Sequence, residues 1–214
     1  MSSTFWNERH FTGLALILGA LLFLCGACLY TVIRDTKGNF IFGLSPREWL
    51  RVVFDHPRLW RWATLLFISG VIVTVLELAM LTTLFQDAGE QVFSLLGLVA
   101  FVFGAVLWII HLAFRLRVDP WAAQETAKTA VLPEFYVPLT LWIHALFVIY
   151  TVLAFSAMVA YGGAVLSTHL LPQWVGWVTI FYSLAGLGLL EFTGDAPPFL
   201  HHLMSLLIGI LLLL

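Results

Sequence analysis

Six long apolar stretches, at 11–33, 62–85, 92–116, 137–161, 174–190 and 198–214, dictate what this chain can become. A helix needs roughly 20 apolar residues to cross a bilayer and tolerates about 17, so each stretch qualifies as a span. The connections are short except at 34–61 and 117–136, which leaves no room for a separate soluble catalytic domain. Only 10% of the residues are charged, against about a quarter in an average soluble domain, and a soluble fold is excluded. The expectation is one all-α domain over 1–214: a polytopic transmembrane helical bundle of about six helices in contact with the lipid bilayer. With a net charge of −2, no nucleic-acid partner is expected.

The first stretch is too long for a secretory signal, follows the acidic Glu8 and runs into Tyr30 and Thr31 without a small-residue cleavage site, so it reads as a retained helix. The last stretch ends in leucines without the aromatic or basic anchor usual for a membrane helix, and the natural chain is expected to continue past residue 214. Arg34, Lys37, Arg47, Arg51, Arg58 and Arg61 fall in the first loop and Arg115, Arg117 and Lys128 at the third, leaving Arg9 alone on the other side. Basic loops stay in the cytoplasm. The expected location is therefore the cell inner (plasma) membrane, with the N-terminus outside, the loops 34–61 and 117–136 cytoplasmic, and Leu214 outside.

Within the first loop, Ser45-Pro46-Arg47-Glu48 has the form of a helix start: Ser45 as N-cap, Pro46 at the first helical position and Glu48 closing a capping box. A short amphipathic helix at about 46–56 should lie in the cytoplasmic interface until Pro57 ends it. Gly19 and Gly26, and likewise Gly97 and Gly104, are seven residues apart and mark seams where another helix can approach. The turn at 86–91 makes the second and third spans antiparallel neighbours. No internal repeat of the kind that marks inverted-repeat transporters is visible.

Ionisable residues within spans are functional candidates by default. His111 in the third span and His144 in the fourth both sit within roughly 8 to 14 Å of the cytoplasmic surface at 1.5 Å rise per residue. Trp108, His111 and Arg115 share a face by their spacing. Paired histidines on neighbouring helices can hold a b-type haem or a chlorin, with Arg115 available to a propionate. The competing reading is that each histidine merely joins helices by a hydrogen bond. His56, His201 and His202 also fall toward the cytoplasmic side, near Asp195 and Glu191, yet their spacing matches no ligand pattern and no metal site is expected.

Cys25 and Cys28, the only two cysteines, form a C-x-x-C at i, i+3 on the first helix. A thiol redox pair would need a second pair to receive its electrons, so small packing residues in a helix seam, inert by burial, is the expected role. Glu77 is the one acid in the middle of a span, with Thr74 one turn before it. It marks either a proton or cation path or a neutral acid hydrogen-bonded to another helix. Nucleophile elbows, phosphate-binding loops and zinc-protease motifs are absent, so no enzyme signature exists.

Leu171-Pro172-Gln173-Trp174-Val175-Gly176-Trp177 before the fifth span and Gly194-Asp195-Ala196-Pro197-Pro198 before the sixth resemble an uncharacterised group of six-helix bacterial membrane proteins. The resemblance covers mainly the C-terminal third and implies a six-helix fold without an activity. The leading functional expectation is a non-catalytic accessory subunit packed against other membrane protein subunits, since nine tryptophans and the small-residue seams supply contact surface. Next come an electron-transfer protein with haem or chlorin on His111 and His144, and a small-solute or proton transporter using Glu77.

Overall fold

A computed structural model describes residues 3–33, 44–197 and 199–214, the first four of these by their backbone alone. Its elements, in chain order, are the helices α1 (Ser3–Val32), α2 (Pro46–Asp55), α3 (Pro57–Asp87), α4 (Val92–Thr129), α5 (Tyr136–Ser167), α6 (Gln173–Thr193) and α7 (His202–Leu213), with no strand among the described residues. Five helices are long and apolar enough to cross a membrane, those of α1, α3, α4, α5 and α6. This is the pattern of a multi-pass membrane protein, and its many outward-facing leucine, phenylalanine and valine side chains suit lipid contact.

Packing runs through the sequence of neighbours α7, α1, α3, α4, α5, α6, with α2 lying across α4. The glycine seams form at the pairs the spacing implied. Gly26 lies against the Ala63 carbonyl and the Phe67 ring on α3, and Gly97 and Gly104 lie against Tyr161 and Tyr150 on α5. The expectation for the cysteines is corrected here. Gly26 takes the seam, whereas Cys25 and Cys28 on either side of it are free and exposed on the outer surface of the bundle.

α2 starts as its residues dictate: the Ser45 amide donates to Glu48 Oε2 at 2.9 Å and the Glu48 amide to Ser45 Oγ at 3.4 Å. Its buried Leu50, Val52 and Val53 face the bundle while Arg47, Arg51 and Phe54 remain exposed. The first ten residues of the expected cytoplasmic loop, 34–43, which include Arg34 and Lys37, lie outside the described residues, as does Pro198.

Two boundaries depart from the sequence expectation. Residues 117–129, read as loop, continue α4. Their charges and Pro120 resemble connector composition, yet Asp119 and the Ala122-Ala123 pair are buried in the same packing layer as Trp60, Tyr136 and Val53. At 38 residues α4 is about 57 Å long, nearly twice the hydrocarbon thickness. The last apolar stretch, by contrast, forms only a 12-residue helix, about 18 Å. Residues 199–201 are held by three-residue turns, Leu200 N to Pro197 O and His202 N to Phe199 O. Arg9 Nη2 donates to Leu211 O at 3.2 Å, so α7 ends beside the start of α1.

Candidate functional site

The described basic residues other than Arg9 gather at one end of the helices, here the basic end, where Arg58 and Arg61 begin α3 and Arg115, Arg117 and Lys128 close α4. A polar node is built there on α4. Asp119, with no exposure at all, accepts from Arg115 Nη1 at 3.1 Å, Trp49 Nε1 at 3.0 Å and Tyr136 OH at 3.0 Å, tying α2, α4 and α5 to one carboxylate. The Arg115 guanidinium lies 4.5 Å over the Trp49 ring. A buried carboxylate held this way has its charge met by a cation and its lone pairs by neutral donors.

One turn deeper, His111 is buried, and its Nδ1 contacts the Ile143 carbonyl at 3.1 Å. A carbonyl only accepts, so Nδ1 carries the proton and Nε2 is the acceptor for Arg115 Nε at 3.3 Å. Sequence reasoning had joined Arg115 and His111 to His144, and the structure brings the three together in the wall of one cavity of about 340 Å³. His144 is exposed and its ring forms no hydrogen bond among the described residues, whereas both His111 nitrogens are engaged. Tyr30, Trp49, Phe67, Trp108, Phe147 and Phe199 also stand in its walls, with Ala27, Leu44, Leu112, Thr31 and Asp195.

From His111 a column of rings leads to the middle of the bundle. Trp108 stacks between His111, at 4.7 Å, and Tyr150, at 4.8 Å, and Tyr150 OH is hydrogen-bonded to His201 Nε2 at 2.9 Å. The sequence put His201 and His202 near the basic surface. That is corrected: His201 touches Phe23 of α1, Phe101 of α4 and Phe155 of α5, and both histidines are buried at the start of α7. The chain therefore leaves α6 at the basic end and reaches mid-bundle before α7 begins, and none of the described residues between the two helices is in an α-helix. Irregular backbone at membrane depth is tolerated where protein buries it or it lines a cavity, and Asp195 and Phe199 of this segment do line the cavity.

His202 Nδ1 lies 3.5 Å from Thr74 Oγ1 on α3, and its ring sits 3.9 Å from that of Phe23. α3 and α7 both run away from the basic end, so one turn further on Glu77 and Ser205 occupy the same level. There the polar groups go unmet. Neither Glu77 oxygen, nor His202 Nε2, nor Ser205 Oγ has a hydrogen-bond partner among the described residues, and all are buried. The carboxylate fits because residue 19 is glycine; a Cβ there would overlap Glu77 Oε2. No described residue of a neighbouring helix hydrogen-bonds the carboxylate, and Thr74, one turn earlier on the same helix, gives its hydroxyl to Gly70 O.

Glu77 also lies between two openings of the α1–α3 pair. The cavity at the basic end takes Ala27, Tyr30 and Phe67 from these helices. A second, of about 440 Å³ at the far end, takes Asn7, Glu8 and Thr12 from α1 and Met80, Thr83 and Leu84 from α3. No group of three or more His, Cys, Asp or Glu side chains converges among the described residues. Comparison with protein-family models, with curated proteins and with solved structures found no match to this chain.

Proposed function

We propose that this chain is a single-domain membrane protein that carries protons or a small cation across the bilayer, with Glu77 as the group that is loaded and unloaded. The observation that carries this reading is a buried carboxylate without a hydrogen-bond partner among the described residues, lying between two cavities at opposite ends of one helix pair. Ionised and alone in a low-dielectric interior, a carboxylate costs several kcal/mol or more. A proton or a cation relieves that cost, and the cavities shorten the path to either side. Short helices that start within the bundle beside irregular backbone are a recurring transporter device, and α7 has that form.

In the proposed arrangement the plasma membrane holds about six crossings. The sixth is formed by the chain after α6, whose described residues 194–197 and 199–201 are not in an α-helix, followed by α7. The N-terminus is outside and the basic end cytoplasmic, with α2 in the interface presenting Arg47 and Arg51 to lipid headgroups. The test is proton uptake into liposomes that hold the purified protein and a trapped pH dye, under an imposed gradient. Wild-type protein should raise the rate above that of empty liposomes, Glu77→Gln should return it to the empty-liposome rate, and Glu77→Asp should retain part of it. Equal rates for Glu77→Gln and wild-type protein would remove Glu77 from the mechanism.

The haem or chlorin reading is favoured by His111, His144 and Arg115 lining one cavity, and by the Nδ1 bond to Ile143 O, since ligating histidines commonly donate to a carbonyl in this way. It ranks second because His111 Nε2 already accepts from Arg115. For the accessory-subunit reading, the outward apolar surface is covered by lipid as readily as by partners; co-purification of a stoichiometric partner with a protein inactive in the flux assay would restore it.

A further inference from the structure

From the cavity at the basic end, which the proposed path of Glu77 also uses, we infer a second property with its own readout: it is a binding site for the head of a membrane quinone, a planar ring bearing carbonyl oxygens. At about 340 Å³ it is within the range of small-molecule sites, and six aromatic side chains together with Ala27, Leu44 and Leu112 make its wall largely apolar. Trp108 is covered on both faces by His111 and Tyr150, and Tyr30, Phe67, Phe147 and Phe199 supply the aromatic surface against which a flat ring can pack.

The polar groups select carbonyl acceptors over an anion. Arg115 spends Nη1 on Asp119 and Nε on His111, leaving Nη2 without a hydrogen bond among the described residues. His144, whose ring forms no hydrogen bond among the described residues, supplies a second donor to the lining. The positive charge is already matched by Asp119, and Asp195 adds a negative one to the lining, so a carboxylate or phosphate ligand finds no surplus cation. A neutral ring with hydrogen-bond-accepting oxygens meets both donors without a charge to neutralise. The exposed members of the lining, Thr31, His144 and Asp195, mark the mouth, and beside His144 the exposed Leu141 and Trp142 continue into the apolar surface, where an isoprenoid tail has lipid to enter.

The probe is decylubiquinone titrated into the detergent-purified protein, read by quenching of tryptophan fluorescence. Decylbenzene, of similar shape without carbonyls, is the control. Saturable quenching by the quinone alone is expected. His144→Phe, at an exposed position that the fold does not depend on, should weaken binding about fivefold, the worth of one hydrogen bond. Ala27→Phe, which fills the cavity from α1, should remove saturable quenching while the protein stays monodisperse. Equal quenching by decylbenzene, no saturation with folded protein, or purification with stoichiometric haem would each overturn the assignment. The assay reads no proton flux, so its result stands or falls apart from Glu77.

Discussion

At the scale of single residues, Asp119 organises more of the basic end than any other side chain. Removing this fully buried carboxylate leaves the Arg115 cation, the Trp49 indole N–H and the Tyr136 hydroxyl without their shared acceptor. Breaking one partner of a buried ion pair costs about 3–5 kcal/mol, whereas Tyr136→Phe removes one neutral donor and should cost about 1 kcal/mol. Thermal unfolding in detergent is expected to order the variants as wild type, Tyr136→Phe, Asp119→Ala; equal midpoints for the last two would mean that Asp119 is not the acceptor it is drawn as. The Arg115–Asp119 spacing of four was readable in the sequence as a helical ion pair. Asp119 lies between Arg117 and Pro120, in a stretch whose composition is that of a connector, and this hides the pair. Its other partners, Trp49 and Tyr136, are 70 and 17 residues away, a distance no local pattern reports. His111, Arg115 and Glu77 were legible because ionisable groups are rare in apolar stretches. The burial of His201 and His202 was not, since it depends on where the segment after α6 goes.

At the scale of elements, local chemistry was read well and its extent poorly. The capping box at Ser45 and Glu48 starts α2 where the residues say, because both partners lie within one turn. The ends of α4 and α7 are set by tertiary packing instead, and there hydropathy misled in opposite directions, too short for α4 and too long for α7. α7 has only three turns to hold it, and one close crossing fixes it to α1: a Cβ at Gly13 would come within 2.8 Å of the Gly209 carbonyl, and a Cβ at Gly209 equally close to that of Gly13. Backbone against backbone leaves no flexible side chain to yield. Gly209→Val should therefore cost about 1–3 kcal/mol through forced separation and loosen α7. Faster proteolysis near residue 200 in the variant, with α3 to α5 still protected, is the expected result. An unchanged digestion pattern would show that the crossing tolerates a wider gap.

At the scale of the whole molecule, the proposed orientation rests on charge and the proposed sixth crossing on a single hydrogen bond. Seven described basic residues, from Arg47 to Lys128, share one end, and retention of such residues in the cytoplasm is the strongest topological rule available. α6 returns the chain to that end at Thr193, and Arg9 meets Leu211 at the other, so in the proposed arrangement the 12 residues of α7 complete a crossing begun before them. This yields a parity that charge alone does not. In a protein with Cys25 and Cys28 replaced by alanine, single cysteines at Asn7, Asp87 and Leu214 should all react with an impermeant maleimide on intact cells. A cysteine at the exposed Lys128 should react only after permeabilisation. Labelling at Lys128 from outside would invert the molecule and with it the sidedness of both cavities. Protection at Leu214 alone would leave the orientation intact but cut the count to five crossings, and it would break the proximity of α7 to the start of α1 on which the level of His202, Ser205 and Glu77 depends.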